Sequence, residues 1–288
     1  MSAATLPLSN VPTTRSLLAG RRLALLGAGT MGRAIAGGLA RAGLGDEMPL
    51  AIVSRNPANA ELLAATIAGA RAADAATACA DADVVLLCVK PKDVRPLLEA
   101  LVAAGALAHA PLIVSIAAGV SIESIEHMTG GGLPVVRAMP NTACIIGRGC
   151  TVVAGGAHST RAHLAQATAI FESVGHCITL DEAHLDTVTA VSASGMAFMY
   201  VVIEALTDGG VSCGLPSDTA LELVAHMTRG AAEMVLTTGH HPAALKDDVT
   251  TPGGCTIAGL MVLEDGRARS VLARTIETTR RVAAGLGR

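Results

Sequence analysis

The sequence predicts an α/β fold in which a doubly wound, mainly parallel sheet precedes a second domain made only of helices. Three observations support this prediction. Short apolar runs without polar alternation alternate with helical segments up to about Leu180, a glycine-rich turn follows the first run, and no strand-like run appears after Leu180. With 288 residues, of which 51% are hydrophobic, the chain is long enough for two domains. We place them at 21–180 and 181–288.

Composition argues against several classes of protein. The net charge is −3, no basic cluster is present, and the chain has only two Phe, one Tyr and no Trp, so we expect no nucleic-acid partner. The seven Cys form no C-x-x-C pair and the His residues form no H-E-x-x-H motif, which favours reduced thiols, no metal and a cytoplasmic protein. Residues 1–20 do not read as a signal peptide, and we expect a loose extension there.

The first domain is predicted element by element. Apolar runs predict strands at Arg22–Leu26, Leu50–Val53, Val84–Val89 and Leu112–Ile116, with later strands at Val135–Arg137 and Thr151–Ala154. Helices are predicted at Met31–Ala42, Ala58–Ile67, Asp93–Ala104, Ile122–Met128 behind a Ser121 cap, and His163–Ser173.

The uncharged stretch Leu101–Ile122 is long enough to cross a bilayer. Because Pro111 lies in its middle and glycines interrupt it, we predict a helix end, a turn and a buried strand instead, and no membrane association.

The second domain is predicted as helices separated by glycine and proline. Their ranges are His184–Leu206, Pro216–Thr237, Thr256–Glu264 and Ala268–Ala284. Within the first of them, the stretch Thr187–Ile203 carries no charged side chain, so this helix should be buried nearly all round. A domain of about 100 residues gives it limited cover. We therefore predict a homodimer or higher homo-oligomer.

A glycine-rich turn predicts a nucleotide site. Gly27, Gly29, Thr30, Met31 and Gly32 belong to a G-x-G-x-x-G string that lies between a strand and a helix, as in Rossmann-like domains. In that context Gly27 allows the tight turn, Gly29 lets the backbone approach a pyrophosphate, and Gly32 lets the helix pack on the strand.

The end of the second strand predicts which nucleotide is bound. An NAD site usually has an acidic residue there, whereas this chain has Ser54, Arg55 and Asn56. Two hydrogen-bond donors and a guanidinium suit a 2′-phosphate, so we expect NADP(H), with NAD(H) as a weaker alternative. The other interpretation is that Arg55 is only a solvated loop charge.

Motifs along the chain resemble those of the pyrroline-5-carboxylate reductase family, in the same order and from about residue 21 to 284. They are the segments 88–91 (CVKP), 115–120 (SIAAGV), 137–142 (RAMPNT), 208–211 (DGGV), 214–216 (GLP) and 245–260 (LKDDVTTPGGCTIAGL). The resemblance implies an oxidoreductase of proline biosynthesis that reduces the cyclic imine L-1-pyrroline-5-carboxylate to L-proline with NAD(P)H. It also implies cofactor contacts from Val89, Lys90, Pro91 and Ala117.

The chain departs from the family pattern at several positions. Met196 replaces a proline in the S-G-S-G-P-A-Y run, Ala143 replaces the proline after N-T, and Ala75 stands where many members have an asparagine. Met196 either changes the tolerance for ring size or substituents or simply fills the core.

The segment 250–256 is rich in hydroxyl groups and glycine and leads into a helix, whose free amides suit a carboxylate. The resemblance places the substrate carboxylate near Thr251, Gly253 and Gly254, with Ser194 and Gly195 opposite. It places the Thr256 hydroxyl beside the ring nitrogen as the catalytic group. The residues alone, without the resemblance, favour a helix cap as the role of Thr256.

Three alternatives to this function remain open. The first is reduction of a related cyclic imino acid. The second is a 3-hydroxyacid dehydrogenase, which needs a general base such as a lysine on the helix His184–Leu206, and that helix has none. The third is a non-catalytic protein that senses NADP(H).

Overall fold

The computed structural model describes residues 14–44 and 47–285. Its centre is an eight-stranded sheet in the order β3-β2-β1-β4-β5-β6-β7-β8. The strands are β1 (Leu23–Leu26), β2 (Leu50–Val53), β3 (Ala70–Ala72), β4 (Val84–Leu87), β5 (Leu112–Ser115), β6 (Val135–Met139), β7 (Gly149–Gly155) and β8 (Gly175–Thr179). The chain order reverses between β1 and β4, and this switch point opens a crevice at the carboxyl ends of the strands.

All paired strands are parallel except β6 and β7, which run antiparallel. The four central strands β1, β4, β5 and β6 are buried at every residue, because helices cover both faces of the sheet. The predicted doubly wound fold is confirmed.

The helices that cover this sheet are short and mostly capped. They are α1 (Thr14–Leu18), α2 (Thr30–Arg41), α3 (Pro57–Ala64), α4 (Ala75–Cys79), α5 (Pro91–Ala103), α6 (Ile122–Met128) and α7 (Arg161–Glu172). The predicted Ser121 cap is confirmed, since its hydroxyl accepts from the Ser124 amide at 3.1 Å. The stretch 101–122 is, as predicted, a helix end, a turn and a buried strand.

Several expectations for the first domain were wrong. Strands β3 and β8 and helix α4 were not predicted, because their sequences ARA, GHCIT and AATAC contain no run of large apolar side chains. The prediction of a loose extension over 1–20 is wrong at its end, where α1 forms and Leu18 is fully buried. Residues 1–13 of that extension lie outside the described residues.

The second half is helical, as predicted. Its long helices are α9 (Gly195–Ser212), α10 (Ser217–Thr238), α12 (Cys255–Asp265) and α13 (Ala268–Ala283), and the short α11 (Pro242–Asp248) was not predicted. The single helix predicted over 184–206 is broken into a 3-10 turn at Glu182–His184, α8 (Leu185–Val188), a π-helical turn at Thr189–Ala193, and α9.

The described residues form two compact units, one of residues 14–44, 47–193 and 280–285 and one of residues 194–279. The first unit runs beyond residue 180, where we expected the second domain to begin. The reason is that Leu185 and Ala190 are fully buried, and Leu185 belongs to the core beneath β4 and β5.

Candidate functional site

The glycine-rich turn has the backbone conformation that its sequence predicts. Gly27 has a φ of 121°, and a Cβ there would lie 2.7 Å from the carbonyl oxygen of Cys88. A Cβ on Gly32 would collide with the carbonyl oxygen of Gly27. Beside Gly29, however, no atom of the described residues other than its chain neighbours lies within 4 Å of an added Cβ, so the space there is open to a ligand. The turn therefore fits a pyrophosphate.

The turn lines a cavity of about 430 Å³ at the switch point of the sheet. The structure brings six of the predicted cofactor residues together there, namely Gly27, Gly29, Ser54, Arg55, Val89 and Lys90. Thr30, Met31, Gly32, Asn56, Pro91 and Ala117 are not in its lining. Gly32 acts through packing, and Pro91 is the first residue of α5.

The loop after β2 presents Arg55 to this cavity. The Arg55 side chain is 90% exposed, and its Nη1 lies 3.9 Å from Oδ1 of Asp93. Asn56 also caps α3, because its Oδ1 accepts from the Ala58 amide at 3.2 Å, and its Nδ2 is still a donor. Asn59, one turn later, lines the cavity instead. Ser54 and Arg55 line the cavity, and together with Asn56 they stay the predicted contacts of a 2′-phosphate.

Sequence reasoning missed two other contributors to this half of the site. Asp93 is the acidic residue of the first turn of α5 and lines the cavity. Its position three residues after Lys90, at the start of a predicted helix, could have indicated this from the sequence. Arg33 donates from Nε to the carbonyl oxygen of Ala28 at 2.9 Å and thereby ties α2 to the glycine turn.

Lys90 and Cys88 follow β4 at the same edge of the sheet. Lys90 is the N-cap residue of α5 and lines the cavity, and its ammonium group pairs with no other described residue, so it is available to a phosphate. Burial raises the pKa of the Cys88 thiol to about 12, so that thiol stays neutral beside the cavity.

In the second unit, the turn predicted over residues 250–256 forms and leads into a helix. The Gly254 amide donates to the Thr251 carbonyl at 3.1 Å, Gly253 has a φ of 67°, and a Cβ on Gly254 would collide with Oγ1 of Thr251. Helix α12 then begins at Cys255 without a side-chain cap or an acidic residue in its first turn. Its first amides are therefore free for a carboxylate, without competition from a protein carboxylate.

Thr256 is not the N-cap residue of α12. Gly254 holds that position, and Thr256 is the second residue of the helix. The interpretation of Thr256 as a helix cap was therefore wrong. The Thr256 side chain is half-buried, and its hydroxyl donates no hydrogen bond to another described residue. That hydroxyl is available to a ligand.

Ser194 and Gly195 begin helix α9. Ser194 has helical dihedral angles and makes no side-chain cap, which leaves its hydroxyl available as well. Within the described part of the chain, no hydrogen bond links these two residues to the turn 251–256.

Comparison with known proteins identifies the family. Residues 182–286 match the family model for pyrroline-5-carboxylate reductase dimerisation, and residues 22–119 match that for NADP oxidoreductase, coenzyme F420-dependent. The chain is 37% identical to pyrroline-5-carboxylate reductase of Mycobacterium leprae over 90% of this chain and 94% of that protein. It is 42% identical to the Schizosaccharomyces pombe enzyme over 72% of each chain.

The chain belongs to the pyrroline-5-carboxylate reductase family.

Solved structures of the family agree with this fold. The pyrroline-5-carboxylate reductase of Coxiella burnetii superposes with a TM-score of 0.87 at 28% identity, covering 93% of this chain and 99% of that one. The Plasmodium falciparum pyrroline carboxylate reductase, solved with NADP bound, gives a TM-score of 0.82 at 26% identity, covering 94% and 100%.

One helical segment of this family member, Glu182–Ser212, is long and apolar enough to cross a membrane by length and composition alone. Few of its residues are buried within the single chain. The family's dimerisation model covers the whole segment. The apolar surface thus belongs to a domain of the dimerisation family. Its length and composition are therefore only weak evidence for a membrane span.

Proposed function

We propose that this chain reduces L-1-pyrroline-5-carboxylate to L-proline, with NADPH as the preferred hydride donor. Membership of the reductase family supports the reaction. The observation that carries the proposal is the turn 251–256, whose helix amides are free and whose first turn has no acidic residue. It offers an anion site next to a hydroxyl, as a cyclic imine with a carboxylate requires.

The residues of the first unit fit NADPH. The turn at Gly29 is open to the pyrophosphate, and a 430 Å³ cavity continues from it to Ser54 and Arg55. When bound, the nicotinamide supplies the hydride. Lys90 and Arg55 provide positive charge near the phosphate groups, and the preference for NADPH over NADH rests on Arg55 and Ser54.

Thr251, Gly253 and Gly254 hold the substrate carboxylate in this proposal, together with Ser194 and Gly195. The Thr256 hydroxyl donates a hydrogen bond to the neutral ring nitrogen, or accepts one from the protonated imine and thereby orients it. An imine nitrogen is basic, so the reaction needs no strong acid from the protein. The work of the site is positioning and electrostatic stabilisation.

The direct test follows NADPH absorbance with purified protein and a set of cyclic imino acids of different ring size. We expect the highest kcat/KM with L-1-pyrroline-5-carboxylate and L-proline as the product. A higher kcat/KM with a six-membered imine would assign the chain a related substrate and give Met196 a role in ring size. NADPH binding without turnover of any imine would instead identify an NADP-sensing protein.

We further propose that two copies of the chain form a cytoplasmic homodimer through the helices of the second unit. Large apolar side chains support this, since Met199, Tyr200 and Val201 of α9 are all exposed in the single chain. Light scattering of the purified protein tests the assembly. A stable monomer at micromolar concentration, or binding of the protein to lipid vesicles, would contradict this proposal.

A further inference from the structure

Asn141 is buried, yet its side chain does not cap the helix that follows it. It is the N-cap residue of the 3-10 helix Thr142–Ile146, a position at which asparagine normally caps the first amides, and it makes no such bond. The residue is only 8% exposed. Because a buried amide must find partners, its orientation depends on other segments of the chain.

Those partners lie on β7 and on the π-helical turn. The Cys150 amide donates to Oδ1 of Asn141 at 3.2 Å. Nδ2 of Asn141 donates to Oγ of Ser192 at 3.2 Å and approaches the Ser192 carbonyl at 3.5 Å. The Ser192 hydroxyl in turn donates to the Cys150 carbonyl at 3.4 Å. These bonds close a ring of three residues, all within the first unit.

Ser192 belongs to the π-helical turn Thr189–Ala193. Such a turn is rare and is found frequently at functional sites. On one side it is fixed by Ala190, which is fully buried. On the other side, the Asn141 amide fixes Ser192. Helix α9 starts at Gly195, three residues after Ser192, and Ser194 is its N-cap residue.

We infer that Asn141 is a positioning residue for the substrate. Through its bond to Ser192, it sets the direction in which the π-helical turn delivers the Ser194 hydroxyl and the Gly195 amide. This inference rests on the proposed function, in which these two groups bind the substrate carboxylate. Asn141 itself does not touch the substrate or the cofactor.

A purely structural role for Asn141 predicts a different result. Loss of a structural hydrogen bond lowers the melting temperature but leaves the KM of the folded enzyme unchanged. A positioning role raises the KM for the imino acid selectively. The KM for NADPH should not change, because none of the three residues in the ring lines the nucleotide cavity.

The experiment compares Ser192→Ala and Asn141→Ala with the wild-type enzyme. We expect each to raise the KM for L-1-pyrroline-5-carboxylate about 5- to 10-fold, the effect of one lost hydrogen bond, with the KM for NADPH unchanged. The double variant should raise it no further than the larger single effect, because both substitutions break the same link. Ser192→Thr, which keeps a hydroxyl, should restore most of the affinity.

Thr160→Ala is the matched control. It removes a side-chain hydrogen bond to the His163 amide at the start of α7, in the same unit, without touching the ring. It should lower the melting temperature and leave both KM values unchanged. If Asn141→Ala does not fold, Ser192→Ala decides the question alone. A Ser192→Ala enzyme with wild-type KM overturns the inference, whereas a wild-type enzyme inactive on the imino acid contradicts the proposed function instead.

Discussion

The two units of the chain bury their apolar residues to very different extents. In the first unit, strands β1, β4, β5 and β6 are buried throughout and form two continuous cores. In the second unit, whose residues are all described, α9 buries only Thr207, α10 only Ala220, and α12 none.

This difference separates two kinds of binding site. The nucleotide turn is held by contacts inside its own unit, such as the bond from the Gly27 amide to Val53 and that from Arg33 to Ala28. The turn 251–256 is held by local bonds in a unit whose apolar side chains remain exposed in the single chain. We infer that the first site is complete in one copy, whereas the second depends on assembly.

A charge on the exposed apolar face should therefore have the largest effect. Val201 of α9 is 62% exposed in the single chain, and Val201→Glu would place an unpaired carboxylate in the interface that we propose. Burying such a charge costs several kcal/mol, so we expect the dimer dissociation constant to rise by at least ~100-fold. Analytical ultracentrifugation measures it.

The control for Val201→Glu is the same substitution on the first unit. Val102 lies on α5 and is 42% exposed. Val102→Glu should leave association unchanged, since the dimerisation family model matches residues 182–286 and α5 lies outside that range. Dissociation by Val102→Glu but not by Val201→Glu would reverse our assignment of the two units.

The second largest effect is expected for Thr256. If its hydroxyl hydrogen-bonds the imine nitrogen during hydride transfer, Thr256→Ala should lower kcat about 10- to 100-fold, as for a hydrogen bond to a charged group. Thr256→Ser should lose much less. Because Gly254 and not Thr256 caps α12, the melting temperature of Thr256→Ala should stay near that of the wild type.

Thr251 provides the contrast within the same turn. Thr251→Ala should act mainly through KM, because the carboxylate is bound equally in the ground state and in the transition state. If Thr256→Ala keeps the wild-type kcat, the catalytic assignment is wrong.

A smaller effect is expected at the nucleotide site. Arg55→Asp should lower the ratio of kcat/KM for NADPH to that for NADH by roughly 5- to 10-fold, a modest figure because an exposed charge is screened by solvent. Arg95→Asp is the control, since Arg95 is an exposed arginine of α5 that pairs with Glu99. Equal preference for both nucleotides in the wild type would refute our interpretation of this loop.

Sequence patterns predicted the first unit well where apolar side chains carried the signal. The strands β1, β2, β4 and β5 are continuous apolar runs, and the structure has each of them within two residues of the predicted bounds. Strand β8 was missed because it has only two apolar side chains, Cys177 and Ile178, and is stabilised by pairing with β7.

The candidate site shows the same division. The glycine turn was predictable, because positive φ and close approach require glycine wherever they occur. The helix-cap role of Asn56 was not predictable. Ser54, Arg55 and Asn56 are equivalent hydrogen-bond donors until α3 is known to start at Pro57. The break at 189–193 was also unpredictable, because a π-helical turn leaves the apolar pattern of a helix almost unchanged.

The smallest effect concerns the buried thiols of Cys79, Cys144 and Cys177, which all lie in the first unit. Burial raises the pKa of Cys79 to about 12 from the ordinary 9.0, with the Asp74 carboxylate adding to it. Between these values the unfolded chain has lost the thiol proton and the folded chain keeps it. The free energy of unfolding must therefore fall as pH rises above about 9, by at most ~1.4 kcal/mol per pH unit for each such thiol. Cys79→Ala should make that decline shallower in denaturant titrations, whereas Cys213→Ala, at an exposed position in the second unit, should leave it unchanged. Equal slopes in both variants would mean that the Cys79 thiol ionises alike in the folded and unfolded chain, contrary to its burial beneath β4.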